Sequence, residues 1–532
     1  MTDRVSYSPA RKSVRLRTGK ASSRKSEEDR GQSTSRISCV ASATAVDSYS
    51  SGSFTIDKIS DDVLLCISDA YRLVSEERGS TWLWHRLVRI CRRWRNLVFG
   101  HAGHLNLRLV CESKTDIETA LDTWPALPIV IDASFDDDKD EDDIVGALED
   151  PDRIVGISLW GLTQSKVKKC LRLMQQPFPV LTSLHLSIGY GKVARVKTDV
   201  FLGGSIPRLK MLSLTGCQFS ALPTLLSSAS ELVDLHIGEF LVTGRGHISP
   251  EAMSTCLSSL TRLRSLSIYF RWRTGPTYST YSTPPPFTLA PTVLPALTNL
   301  SLGGPHEYLA DLLTQIDTPV LEDGNVEFYD IPNFFSPQIS QFIHRTGMFN
   351  FPSRADVYIR KVVFLELLSS TDPEKKFYMS FSDSDDQPDI CTKVELMEQL
   401  CTRCPPLLSQ IELLQLLGGD VSFWYTGPLT APWLKFLRPF TAVQILHLSG
   451  SLIMPGVSRT LGELAEERAT EVLPVLHTLV LSCPRREVSE AARLVEPFIV
   501  ARKHSEHPVA LKRCPTEGDS DLDPSNFFYH LC

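Results

Sequence analysis

A chain of 532 residues is too long for one compact core; at about 150 residues per domain it would make roughly three units, unless it is built from repeats. Apolar residues at 42% and charged residues at 22% exclude a wholly disordered chain, and 55 Lys+Arg against 62 Asp+Glu leave −7, which excludes a chain-wide footprint for nucleic acid. The longest apolar runs, such as 362–368, are interrupted by charge and too short for a membrane span. The opening MTDRVSYSPARKSVR lacks the apolar centre of a secretory leader, and 13 cysteines without paired spacing read as reduced thiols, so the setting is cytoplasmic or nuclear.

Residues 1–53 are rich in Ser, Arg, Lys and Thr, with ten Lys/Arg against four Asp/Glu up to Arg36. Such a segment buries too little surface to offset its ordering entropy, so it is expected to be a disordered basic tail. Residues 54–104 read as a small helical module. Ser60 is placed to cap a helix with Asp61 and Asp62 in its first turn, and Val63, Leu64, Ile67 and Tyr71 recur at helical spacing with Leu65 as a further apolar position. After a polar break at 75–80, Trp84, Leu87, Val88, Cys91, Trp94 and Val98 keep to one stripe of a second helix. About fifty residues cannot stand securely alone, so the pair is expected to need a partner surface.

From 105 to 502 the pattern becomes a repeat. Five copies fit P-x-L-x-x-L-x-L, led by Pro179, Pro207, Pro295, Pro406 and Pro474; four keep the apolar frame without proline, from Ile154, Leu232, Leu263 and Val443; and one from Pro319 has Gly324 where the middle leucine belongs. First positions 23–34 residues apart consume one short strand and one helix per rung, and Ser249–Pro250 and Tyr308–Ile316 read as parts of such helices. Stacked rungs bury a leucine face that one rung alone leaves in water. Between 327 and 405 the repeat blurs, with 362–367 as one further rung strand; 136–143 and 382–389 are acidic loops, and 503–532 form a polar, frayed C-terminal tail.

Catalytic patterns are looked for and not found. No phosphate loop is present, His306-Glu307 begins an H-E-x-x-H that fails at Ala310, and Cys401 and Cys404 form a C-x-x-C with no second pair. No metal, cofactor or catalytic residue is therefore expected. His185, His236 and His447 stand at the middle x of L-x-L strands, but His185 and His236 are separated by the Ser213 rung, about 9.6 Å in backbone, too far for one zinc. With Ser213, Ser267, Ser301 and Glu412 they are expected to line a solvated inner face, the place for a protein substrate.

The segment ISDDVLLCISDAYRL…WLWHRLVRICRRWRNLVF resembles the F-box, through Asp62, Leu64, Leu65 and Ile67 in the first helix and Ile90-Cys91-Arg92-Arg93-Trp94-Arg95 in the second. It covers about 50 residues, lacks the leading Leu-Pro (here Ile59-Ser60) and carries an insertion over 74–81. Taken with the repeat beyond residue 104, the chain looks like fungal F-box proteins carrying irregular leucine-rich repeats. The resemblance implies an α/β fold, a small all-α F-box cluster ahead of a leucine-rich-repeat solenoid with parallel strands inside and helices outside. It further implies a substrate-receptor subunit of a cullin–RING ubiquitin ligase, whose small adaptor, and through it the cullin, docks on Ile59, Val63, Leu64, Leu65, Ile67 and Trp94. The competing expectation is a repeat scaffold whose helices only cap the solenoid. What separates the two is whether Val63, Leu64 and Ile67 face solvent or the first rung. A nucleic-acid binder using the tail with Arg86, Arg89 and Arg93 ranks last.

Overall fold

The structure, a computed structural model, describes residues 56–77, 84–103, 105–111, 124, 127–134, 146–188, 194–196, 201–240, 248–270, 290–329, 337–346, 352–359, 363–369, 372, 374–382, 394, 397–399, 408–418, 430–450, 453–464, 468–483 and 485–515. The expected basic tail, the acidic loop at 136–143, the loop at 382–389 apart from Ser382, and Cys401 and Cys404 lie outside the described residues. The chain divides into two compact units, Met1–Ser60 and Asp61–Cys532. In the first, the described part is one turn, Ile56–Lys58, closed by Ile59 N–H donating to the Ile56 carbonyl.

The second unit opens with α1 (Asp61–Glu77), α2 (Trp84–Leu87) and α3 (Arg92–Gly100). Two features differ from the sequence expectation: α1 runs through the polar stretch at 75–77, and the second helix is broken. After α2 the backbone tightens, with Arg89 N–H donating to Arg86 O and Ile90 N–H to Leu87 O, and extended Cys91 then caps α3 by accepting from Trp94 N–H at 3.4 Å. The break lets Val88, Trp94, Leu97 and Val98 all turn inward, which one straight stripe does not manage.

Among the described residues sixteen strands form one sheet. The first nine are β1 (Leu109–Cys111), β2 (Ile129–Ser134), β3 (Ile154–Leu162), β4 (Ser183–Ile188), β5 (Met211–Thr215), β6 (Asp234–Phe240), β7 (Ser265–Phe270), β8 (Asn299–Pro305) and β9 (Asp323–Tyr329). They lie side by side in chain order, all parallel. Helices on the return path are α4 (Gln164–Leu173), α5 (Leu222–Ser228), α6 (Pro250–Ser258) and α7 (His306–Gln315). Ser249 caps α6 by accepting from Ala252 N–H at 3.3 Å, with Pro250 in the first turn, where its missing N–H costs nothing.

What sets each rung is a turn just before the strand. Leu181, Leu209, Leu297, Leu321 and Leu476 N–H groups donate to the carbonyls three residues earlier, on Phe178, Ile206, Leu294, Thr318 and Leu473. The motif proline occupies the second turn position, where its fixed φ is preset. The residue opening the turn is buried in each of these rungs. From there Leu184, Leu212, Leu235, Leu266 and Leu300 align across neighbouring strands, with Leu186, Leu214, Ile237, Ile268 and Leu302 one pleat on, none more than 2% exposed. Each such side chain contributes about 1.5–3 kcal/mol by leaving water.

The stretch at 327–405 is not a blurred rung. After α8 (Pro337–Arg345), β10 (Pro352–Ile359), β11 (Val363–Ser369) and β12 (Lys376–Ser382) form an antiparallel meander let into the parallel sheet, in the spatial order β9-β12-β11-β10. The 363–369 strand expected as a rung therefore runs against its neighbours. The outer strands of the meander run parallel to the flanking rungs, β12 beside β9 and β10 beside β13 (Leu413–Gly418), so the register continues through. Gly324 is explained there: it pairs with Phe377, and a Cβ at Gly324 would lie 2.7 Å from Phe377 Cε2 and closer still to Cδ2. The phenyl ring from the meander fills the place of the missing leucine.

The sheet ends with β14 (Ile445–Ser449), β15 (Thr478–Cys483) and β16 (Ala510–Pro515), with α9 (Thr430–Leu437), α10 (Ile453–Glu463) and α11 (Arg485–His504) between them. The stretch expected to fray thus extends α11 to His504 and adds a parallel strand. That strand carries Lys512 and Arg513, charges that discourage further pairing at a sheet edge. Two arginines tie rungs together in the same way. Fully buried Arg502 donates to the carbonyls of Leu473, Pro474 and Leu476, and Arg345 to those of Leu313, Thr314 and Ile316.

Candidate functional site

Helix-side leucines fill one face of the sheet; the other side chains make an open face that is part-exposed over most of β3–β9, while Asp356, Gln415, His447 and Val480 on it are buried. Its central row follows the register without a gap: Asp132, Ser158, His185, Ser213, His236, Ser267, Ser301 and Asn325, then Tyr378, Glu366 and Asp356 in the meander, then Gln415, His447, Val480 and Lys512. Six of the seven expected inner-face residues stand in this row. Glu412 does not. The β13 turn is Leu408 to Ile411, so the rung is Ile411-x-x-Leu414-x-Leu416 and Gln415 takes the row position, three residues on from the reading led by Pro406. Both frames fit the leucine spacing, and only the turn distinguishes them.

Three clusters stand on this face. Near its start the Trp160 ring lies over the His185 imidazole, centroids 3.7 Å apart, and Trp160 remains 46% exposed. Burial lowers the affinity of His185 and His236 for protons, so at neutral pH both are uncharged acceptors or donors. In the middle, Glu327 sits among three phenols, Tyr269, Tyr329 and Tyr378, whose pKa values are all raised, by burial first and by that carboxylate next or later. Tyr329 is hydrogen-bonded to Glu327; Tyr269 shares its hydroxyl with Ser301, and Asn325 Nδ2 donates to both at 3.5 and 3.4 Å. Gly303 makes this convergence possible, since a Cβ there would lie 2.5 Å from Tyr269 Cδ1 and 2.8 Å from the Tyr329 hydroxyl. Sequence reasoning missed these tyrosines because the repeat frame marks leucines, not what stands between them.

The third cluster is Arg354, Asp356, Gln415, His447 and Ser482. Arg354 donates to both Asp356 oxygens at 2.8 and 2.6 Å, and burial nevertheless raises the Asp356 pKa. His447 Nε2 and Ser482 Oγ are 2.8 Å apart; burial, then the Arg354 charge, lowers the histidine pKa to about 4. This is no nucleophile–base–acid triad. The register puts Asp356 two strands from His447, and Ser482 is 5% exposed. Among the described residues no three His, Cys, Asp or Glu side chains gather as a metal site, and no helix is long and apolar enough to cross a membrane.

The expected adaptor residues are split. Val63 and Ile67, one turn apart on α1, are 49% and 42% exposed, and Leu65 is half-buried. Leu64 and Trp94 are enclosed between α1 and α3, where Trp94 Nε1 donates to Ser68 Oγ at 3.0 Å and Ser68 Oγ donates to Leu64 O. Arg93 and Asp61 pair across the same two helices. Ile59 is half-buried in the first unit.

Mostly parallel one-strand rungs, leucines in register, the same turn before each strand from β3 to β9, and helices on the far side decide the architecture. The chain is a leucine-rich-repeat-like solenoid. No protein-family model matches it, and no curated protein does. Among solved structures, the leucine-rich repeat-containing protein LegL7 from Legionella pneumophila is similar at a TM-score of 0.27 and 11% identity, over 74% of this chain and 96% of that one. At that score the likeness adds nothing to the rung geometry.

Proposed function

We propose that this leucine-rich-repeat-like solenoid is a non-catalytic interaction scaffold that holds a protein partner on its open face. The observation that carries this is the uninterrupted row across fifteen strands, polar throughout the parallel run, with tyrosines beside it near β9 and Trp160 exposed one pleat beyond Ser158. Large exposed aromatics flanked by polar groups are what binding centres use, because they bring much contact area at little entropic cost. The test is affinity purification and mass spectrometry with Trp160→Ala and Ser267→Arg chains. Partners retained by the wild type are expected to be lost from both, and unchanged partner sets would end the reading.

A second reading is favoured by Val63 and Ile67. An exposed valine and isoleucine on adjacent turns of α1 fit a helix that docks on another chain, and together with the F-box resemblance they support a substrate receptor whose adaptor docks there and whose open face takes the substrate. Leu64 and Trp94 belong to the interior of the helix pair, so changing them would test folding instead. Val63→Asp with Ile67→Asp is the suitable variant. On this reading the small adaptor of a cullin–RING ligase co-purifies with the wild type and not with the variant; absence of adaptor from the wild type removes the receptor reading and leaves the scaffold.

A further inference from the structure

Glu327 is placed as an ion-pairing carboxylate, yet the described residues beside it bring no cation. Its register neighbours are Gly303 and Ser380. The Tyr269 ring and the Tyr329 hydroxyl lie over Gly303, Ser380 is buried, and Glu327 itself stays part-exposed on the sheet face. Three tyrosines surround the carboxylate. The Tyr329 phenol donates to Glu327, and the Tyr269 hydroxyl is tied to Ser301 and Asn325. Tyr378 lies between Glu327 and a second carboxylate, Glu366. The cations that the meander strands bring to this face, Lys376 and Arg354, stand at the register level of Asp323, four residues along from Glu327. Arg354 is already bidentate to Asp356, Lys376 acts on Glu366, and the ion pairs among the described residues include none to Glu327.

A carboxylate flanked by phenols is the complement of a guanidinium. The planar cation stacks on aromatic rings while its N–H fork meets the two oxygens, and partial exclusion of water strengthens both terms. A lysine ammonium would gain the charge contact but not the stacking. An anion or an apolar side chain would meet a repelling carboxylate or leave it desolvated.

We propose that the tyrosine-ringed Glu327 receives an arginine side chain of a partner protein, making this the position at which the open face reads its partner's sequence. The inference rests on the scaffold reading above and narrows it.

The experiment uses the full chain and fluorescence anisotropy of a fluorescein-labelled peptide of alternating glycine and arginine, beside its citrulline counterpart, which keeps shape and loses charge. The arginine peptide is expected to bind at least ten-fold more tightly than the citrulline one. Glu327→Gln, nearly isosteric and able to keep the Tyr329 contact, is expected to lower that affinity ten-fold with an unchanged circular-dichroism spectrum. Tyr378→Leu is expected to lower it also, with Glu327 intact. General attraction to an acidic protein is separated from the site by the same variant, because Glu327 is one of 62 acidic residues. Equal binding of both peptides, or arginine-peptide binding indifferent to Glu327→Gln, overturns the proposal. If the Trp160→Ala and Ser267→Arg chains lose their partners while the arginine peptide fails to bind, the arginine site falls and the scaffold stands. If those chains keep every partner, the scaffold reading falls first.

Discussion

The parallel run β3–β9 and the antiparallel meander β10–β12 share one sheet and one register but are built on different rules. In the run, each strand is introduced by the same turn, all but β9 bury leucines or isoleucines toward the helices, and small polar residues or histidine stand in the central row. In the meander the helix-side residues include Phe377, Met379 and Phe381, and the row carries Tyr378, Glu366 and Asp356. A repeat constrains its residues because every rung meets an equivalent neighbour; the meander meets two different ones, and its side chains are freed to be larger and charged. Chemistry collects where the repeat is interrupted.

That contrast can be broken or sharpened by substitution. The largest effect belongs to the run: Leu212→Ala removes a fully buried rung leucine with rungs on both sides, and is expected to cost about 4 kcal/mol in urea unfolding. A cost under about 1 kcal/mol would mean the rungs do not share one core. Next comes His447, which differs from His185 and His236 in the depth of its burial. Its folded pKa lies near 4 against 6.5 unfolded, so its neutral form supports the fold fully above pH 6.5 and that support is lost as pH falls toward 4. The span corresponds to about 3 kcal/mol, and His447→Gln is expected to flatten that part of the stability–pH profile. An identical profile would show the histidine to be solvated.

Smaller is Gly324→Leu, which restores the repeat's own residue. Because Phe377 already occupies the space, the change is expected to destabilise by about 2 kcal/mol, whereas a gain in stability would mean that the meander yields to the repeat. Smallest is Ser267→Ala in the run's central row, expected within about 0.5 kcal/mol by the same urea measurement, since the row there faces solvent.

The strand-plus-helix repeat was legible in the chain because leucine spacing and preset prolines act locally, over eight residues. Nine of the ten rungs read from those residues keep their frame, and the tenth slides by three because Leu408, Ile411, Leu413, Leu414 and Leu416 satisfy two frames at once. His185, Ser213, His236, Ser267, Ser301 and His447 could be placed on one face for the same local reason, pleat alternation. The broken second helix was less legible, since its stripe is apolar whether or not the backbone tightens at Arg89 and Ile90.

What composition and spacing determined, then, is a stacked α/β solenoid with a polar row on the face away from its helices. What only the tertiary structure decided is which strands lie beside which where the repeat lapses. Tyr269, Glu327, Tyr329 and Tyr378 come from three strands, the last separated from the others by a reversal of chain direction, and Gly303 makes room for two of them from yet another. No periodicity encodes that meeting, because it depends on contacts between segments whose order in space departs from their order in the chain.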